Sequence, residues 1–252
     1  MKLNIVPART GLQWIKLGVR TFLRQPLALA GLFFMYMTAV IAIAMIPVIG
    51  IFVGGLLVPA ATLGLMAATE EASKGKFPMP SVLLSAFRAG RQRARAMLVL
   101  GVVYTIASWL ATHLASLATG EPQAGLQIDA AALLALALHI PIFLMFWHAP
   151  ALVHWHGVAP AKSLFFSLVA CLKNAGAFLV YGLGWLGLFV ASGTLFGLIG
   201  GLLGGPSMAR AVMMPLALLL AAMFSTSIYF TFRDSFLASD EPGQGRAAAP
   251  PG

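Results

Sequence analysis

Charged residues and cysteine are scarce in this chain of 252 residues, and each scarcity excludes a class of protein. Only 9% of the residues are charged, whereas a soluble domain carries about a quarter. Cys171 is the single cysteine, so the chain forms no internal disulfide and no cysteine-based zinc site. The composition therefore excludes both an ordinary soluble domain and a disulfide-stabilised secreted domain.

Catalytic motifs and buried charges are also missing. The sequence contains no serine–histidine–acid set, no phosphate-binding glycine loop and no zinc-protease motif. The apolar stretches hold no Asp, Glu, Lys or Arg well inside them, and such residues usually mark ion or proton pathways. We therefore predict a protein that is not an enzyme, has no cofactor and does not couple transport to ions.

Long apolar stretches are what the sequence has in abundance. The hydrophobic fraction is 60% and the mean hydropathy is +0.92. Because a transmembrane helix needs about 20 mostly apolar residues, the pattern predicts an all-α polytopic bundle of six transmembrane helices. The predicted spans are 27–46, 52–70, 96–117, 130–152, 176–202 and 209–232.

Basic residues alternate between the predicted loops. Fifteen of the sixteen fall on the two ends and on the loops 71–95 and 153–175, and Arg210 is the exception. The loops 118–129 and 203–208 carry no Lys or Arg. Since basic flanks stay in the cytoplasm, the pattern predicts a bacterial inner membrane protein with both termini cytoplasmic.

Three amphipathic helices are predicted on the basic side. The first covers 11–25, where Thr10 and Gln13 have the spacing of a capping box. The second begins at Pro80 and the third at Pro160, because proline is favoured at the first position of a helix. Each has an apolar and a basic face, as in helices that lie along a membrane. The apolar face of the first is Leu12, Ile15, Val19, Phe22 and Leu23, and the basic face of the second is Arg88, Arg91 and Arg95. A threefold repeat of interfacial helix, span and span is therefore proposed.

The chain is predicted to form one integral membrane domain over residues 1–238. The remaining segment, 239–252, is rich in Pro, Gly and Ala and is predicted to be a disordered cytoplasmic tail. Small residues four apart, such as Gly193, Gly197 and Gly201, allow helices to approach closely. This spacing favours packing inside the bundle over homodimerisation.

Histidines and acidic residues give the remaining candidates for chemistry. A metal site at His148, His154 and His156 is the less favoured interpretation, because the spacing is poor and no acidic residue is near in sequence. With Trp147 and Trp155, these rings are instead predicted to anchor the chain at the membrane interface. Lys74 is expected to pair with Glu71, or the carboxylates with the arginines of 88–95.

Two stretches resemble a known group of sequences. Met145–Gly182 contains the pattern Trp-x-x-Pro-Ala-Leu at Trp147–Leu152, followed by an amphipathic helix that contains lysine, and the last span closes on Tyr229–Asp234. These stretches resemble an uncharacterised family of proteobacterial multi-pass inner-membrane proteins. The resemblance implies an inner-membrane location and transfers no activity and no functional residue.

The function predicted from these observations is binding of membrane lipids with anionic headgroups, or of a partner membrane protein, by the basic helices. Nucleic acid is not expected, because the charges flank apolar spans. The residues predicted to make headgroup contacts are Arg20, Arg24, Arg88, Arg91, Arg93, Arg95 and Lys173. The alternative is a permease or channel for a small neutral or lipid-like solute, with a cavity lined by Thr38, Ser108, Thr112, Ser192, Thr194 and Ser225.

Overall fold

The structure is a computed structural model that describes residues 2–47, 49–119 and 130–237. Almost all of this part of the chain is helical. The elements are β1 (Lys2–Leu3), α1 (Thr10–Arg24), α2 (Pro26–Ala44), α3 (Ile49–Ser73), a 3-10 helix (Pro80–Leu84), α4 (Ser85–Arg88), α5 (Arg91–Thr119), α6 (Ala130–Phe146), α7 (Ala149–His156), α8 (Pro160–Lys173), α9 (Ala175–Ser235) and β2 (Phe236–Leu237). The predicted tail 239–252 lies outside the described residues.

Six helical stretches are long and apolar enough to cross a membrane, which confirms the predicted number of spans. They are Pro26–Ala44, Phe52–Ser73, Arg91–Thr119, Ala130–His156, Ala175–Gly205 and Ser207–Ser235. The last two are the arms of α9, which turns at Gly205, where φ is 72°. Between 6% and 44% of each span is buried, so most of their apolar surface faces outward, as a lipid environment requires.

Both ends of the described chain meet at one end of the bundle. Strand β1 pairs with β2 in antiparallel register, with Lys2 opposite Leu237. The Asn174 side chain holds the N-terminal segment, because its Oδ1 accepts from the Val6 N–H at 2.8 Å and its Nδ2 donates to the Asn4 carbonyl at 3.1 Å. We call this end of the bundle the terminal face.

Helix α1 packs against the last hairpin. Gly11 contacts the first arm of α9 at Ala177 and Tyr181, and Gly184 of the same arm contacts Ile15. Both helices advance together along this contact, so they run side by side. Glycines therefore let α1 approach the hairpin closely. The expectation of a helix lying along the membrane stays a prediction.

The face that α1 buries includes only part of its apolar side chains. Trp14 and Phe22 are buried, whereas Leu12 and Leu23 are exposed. The predicted capping box is not formed, since Arg9 occupies the N-cap position and makes no side-chain cap bond. Helix α1 therefore presents three surfaces, one to the hairpin, one apolar and outward, and one basic.

The second predicted amphipathic helix is broken into pieces. A 3-10 helix and the four-residue α4 end at Gly90, whose φ of 98° turns the chain. Helix α5 then starts at Arg91, so Arg91 and Arg95 belong to the first turns of a span. The prediction of one helix carrying Arg88, Arg91 and Arg95 on one face is wrong, because this backbone conformation at Gly90 interrupts it.

The third predicted helix, α8, is confirmed, and it buries small and polar side chains. Ser163, Ser167, Ala170 and Cys171 face the protein, while Phe165 is 62% exposed. The three basic-side segments thus pack in three different ways, against the last hairpin, as a broken segment beside α3, and against α6. The structure does not confirm the threefold repeat.

The best-packed core lies beside the terminal face and is aromatic. Trp14 contacts Phe178 at 5.2 Å between ring centroids, and Trp155 stacks on Phe232 at the same distance. Side chains from α1, α7 and both arms of α9 meet in this cluster. Since aromatic pairs add about 0.5–1.5 kcal/mol beyond their burial, this cluster fixes the elements that carry the basic residues.

Candidate functional site

The terminal face carries nearly all of the positive charge that the structure describes. Its cations are Lys2, Arg9, Lys16, Arg20, Arg24, Lys74, Lys76, Arg88, Arg91, Arg93, Arg95, Lys162, Lys173 and Arg233, and all are exposed. Only three carboxylates of the described residues, Glu70, Glu71 and Asp234, accompany them. The other described cation, Arg210, lies near the Gly205 turn at the opposite end. Arg246, predicted to be cytoplasmic, lies outside the described residues.

The residues predicted to contact headgroups all fall on this face, on four different elements. Arg20 and Arg24 project from α1, and Arg88 ends α4. Arg91, Arg93 and Arg95 occupy the first turns of α5, and Lys173 ends α8. The structure thus brings the predicted set to one end of the bundle without gathering it into a single pocket.

Apolar side chains stand exposed among these cations. Leu23 is 61% exposed between Arg20 and Arg24, and Phe77, Met79 and Leu84 are exposed in the segment before Arg88. Exposed apolar groups beside basic groups characterise surfaces that enter the headgroup layer of a membrane. The apolar side chains of this face can therefore reach the boundary of the acyl chains, while its basic side chains contact the lipid phosphates.

Arg93 lines a cleft of about 310 Å³ at the beginning of α8. Gln92, Gly157, Val158 and Pro160 form other parts of its wall. The N-terminal end of a helix carries partial positive charge, which adds to the charge of Arg93. This part of the terminal face is therefore electropositive for two separate reasons.

Two of the three carboxylates have structural partners. Glu70 accepts from the Trp155 indole at 3.1 Å and pairs with Lys74 at 2.6 Å. Asp234 accepts from the Trp14 indole at 3.0 Å and pairs with Arg233 at 2.8 Å. The prediction that Lys74 pairs with Glu71 is wrong. Helix α3 continues to Ser73, which places Lys74 one turn after Glu70. These acids hold the aromatic core and serve the fold.

His148 is fully buried, so its prediction as an interfacial anchor is wrong. It is the N-cap of α7 at the junction with α6, and its ring is against Phe178, Phe232 and Phe236. The Thr231 hydroxyl donates to the Ile228 carbonyl at 2.7 Å, so it accepts from His148 Nε2 at 3.2 Å. This hydrogen bond places the imidazole proton on Nε2.

The other residues of the proposed interfacial set are half-buried and pack against neighbouring side chains. Trp147 donates to the Thr231 hydroxyl at 2.9 Å, while His154 lies against Trp155 and His156 against Phe232. Among the residues with described positions, no group of three His, Cys, Asp or Glu side chains is arranged to hold a metal ion. For His148 the interpretation as an interface anchor is therefore replaced by a role in the core, and for the half-buried rings it stays a prediction.

Cys171 is buried in α8 beside the Leu144 carbonyl. Burial raises the pKa of its thiol to about 12, so the reactive thiolate is scarce at neutral pH. The thiol of this residue therefore packs as a small apolar group.

The residues of the predicted permease cavity lie on three different helices, α2, α5 and α9. Ser108 and Thr112 line a groove of about 250 Å³ between α3 and α5, together with Phe52 and Trp109. Thr38 and Thr194 are exposed on other helices, α2 and α9. The permease interpretation stays a prediction that the contacts of Ser108 and Thr112 alone support.

Several residues that position the basic face were not identified from the sequence. Gly11 and Gly18 lie seven residues apart on the buried side of α1, a spacing that could have indicated close helix packing. The role of Asn174 could not be found from its neighbours in sequence, since its partners lie about 170 residues away. The small residues Gly193, Gly197 and Gly201 do not all form a helix contact. Gly193 is next to Met213, whereas Gly201 faces open space.

The six spans, the paired termini and the basic terminal face define a polytopic α-helical membrane protein. The chain is 39% identical, over an alignment of 265 positions, to a probable inner membrane protein of Burkholderia thailandensis, and the match covers 96% of each protein. The chain therefore belongs to the family of that bacterial inner membrane protein. No family model and no solved structure matches it. The resemblance to a family of proteobacterial multi-pass inner-membrane proteins is confirmed.

Proposed function

We propose that the terminal face is cytoplasmic and binds anionic lipid headgroups, and that this binding has no catalytic step. The observation that carries the proposal is the segregation of charge. Fourteen exposed cations share this face with three carboxylates, and two of those carboxylates are already paired. A cationic face of this kind is retained on the cytoplasmic side of the inner membrane.

The cytoplasmic leaflet supplies the partner that this charge requires. Anionic lipids give that leaflet a negative surface potential, and each Lys or Arg near it contributes about 1 kcal/mol of attraction. Of the fourteen cations, only Lys74 and Arg233 form ion pairs within the described chain, so the others have charge available for phosphates. A partner membrane protein would need an acidic surface to satisfy the same charges.

Reversing the charges of Arg91, Arg93 and Arg95 tests this function. We expect the triple change to Glu to weaken binding of phosphatidylglycerol roughly 100-fold or more, because three attractive charges become repulsive. Native mass spectrometry of the full chain in detergent, titrated with this lipid, measures the affinity. These side chains are exposed, so the melting temperature should change little.

Two controls make the test specific. The triple change to Lys keeps all three charges and should bind as the natural protein does. The change Arg210→Glu places a reversed charge at the opposite end and should leave the affinity unaltered. Equal affinity in all variants would contradict the proposal, as would a loss of lipid binding in the lysine variant equal to that in the glutamate variant.

A further inference from the structure

A groove runs along the outward side of α1, where α1 meets the first arm of α9. Its volume is about 600 Å³, within the range of ligand sites in proteins. Ile15 and Val19 from α1 and Leu188 from α9 form part of its apolar wall. The groove is thus long, apolar and open along one side, a shape that suits a hydrocarbon chain.

Three cations line the same groove. Lys16, Arg20 and Arg24 are four residues apart, so they stand on successive turns about 6 Å apart along the helix. All three are exposed, and α1 contains no acidic residue that would neutralise them. The groove therefore combines an apolar wall with a row of positive charge about 12 Å long.

The direction of α1 orients the groove relative to the membrane. Arg24 is the last residue of α1, and α2, the first span, begins two residues later at Pro26. Leu23 and Leu27 are exposed at this junction. The groove accordingly opens toward the boundary of the first span, where a lipid can enter from the bilayer with its chain still in apolar surroundings.

We propose that this groove is a specific site for an anionic phospholipid that carries two phosphates, of the diphosphatidylglycerol class. Three cations on successive turns exceed the charge of one phosphodiester and are enough to contact both phosphates of one headgroup. Basic pockets beside transmembrane helices bind such headgroups. The acyl chains lie against the wall of Ile15, Val19 and Leu188. The inference rests on the proposed function and assigns one site and one lipid class within it.

Titration of the full chain in detergent with diphosphatidylglycerol and with phosphatidylglycerol tests the site, using native mass spectrometry. The natural protein should prefer diphosphatidylglycerol about tenfold, since one additional phosphate is bound. The double change Arg20→Gln with Arg24→Gln should weaken binding of diphosphatidylglycerol about thirtyfold and abolish the preference. The matched control, Arg9→Gln with Lys162→Gln, removes the same charge outside the groove and should keep the preference.

The change Leu188→Trp separates a groove from a charged surface. The larger side chain leaves every cation in place and narrows the groove. It should therefore also abolish the preference for diphosphatidylglycerol. Preference retained in this variant, or displacement of the lipid by inorganic pyrophosphate, would overturn the proposed site. If phosphatidylglycerol binding still depends on Arg91, Arg93 and Arg95 in that case, the proposed function stands and only this inference fails.

Discussion

Replacing Gly11 and Gly18 together by alanine is expected to lower the stability of the protein by about 2–6 kcal/mol. A Cβ atom at Gly11 would lie 2.7 Å from the Tyr181 nitrogen, and one at Gly18 would lie 2.7 Å from the Ser227 Cα. Both obstacles are backbone atoms, so α1 must move away from both arms of α9. Thermal unfolding followed by tryptophan fluorescence measures the loss.

Two other glycines provide a matched control for this prediction. Gly182 and Gly187 lie on the first arm of α9, and a Cβ atom at either would meet nothing within 4 Å. Because glycine weakens a helix by roughly 0.5–1 kcal/mol relative to alanine, changing both to alanine should leave the melting temperature equal or higher. Equal stability of the two double variants would show that α1 does not depend on close contact with the hairpin.

The change Thr231→Val is expected to cost about 2–6 kcal/mol. The hydroxyl accepts hydrogen bonds from the Trp147 indole and from His148 Nε2, at 2.9 Å and 3.2 Å. Valine has nearly the same shape but no acceptor, so two donors in the core lose their partner. Burying each unsatisfied donor costs about 1–3 kcal/mol. The melting temperature of the variant in detergent gives the measurement.

The conservative change Thr231→Ser isolates the hydroxyl. Serine retains the acceptor and loses one methyl group, so it should cost only about 1 kcal/mol. Thr112→Val is a second comparison, because the Thr112 hydroxyl bonds only to the Ser108 carbonyl of its own helix and the residue is exposed. If Thr231→Ser destabilises as strongly as Thr231→Val, the loss comes from packing and the assigned hydrogen bonds are unimportant.

The transmembrane spans were predictable because each depends on local composition. A run of about 20 apolar residues can satisfy its backbone only as a helix in lipid, whatever it packs against. The sequence boundaries therefore fall within a few residues of the observed ones for Pro26–Ala44 and Ala175–Gly205. The same reasoning placed the basic residues on alternate loops.

Contacts between distant parts of the chain were not predictable in this way. The burial of His148 depends on Phe236 and Thr231, which lie more than 80 residues away. Apolar periodicity did not predict that Trp14 turns inward, where Asp234 accepts a hydrogen bond from its indole N–H. A pattern within one helix cannot distinguish a face that meets lipid from a face that meets another helix.

The aromatic core and the basic face depend on each other. Trp155 and Trp14 hold the carboxylates of Glu70 and Asp234, so these acids remain directed into the protein. The cations of α1, α5 and α8 stay exposed around them. Folding of the terminal core therefore separates the charges, which leaves a positive surface for the lipid headgroups of the proposed function.

The side of the membrane on which the terminal face lies is the claim on which the proposed function depends most directly. An enzyme reporter that is active only in the periplasm can be fused after residue 125 in one fusion protein and after the last residue in another. A cytoplasmic terminal face predicts activity from the first fusion and none from the second. Activity from the fusion at the chain end, with silence at residue 125, would contradict it.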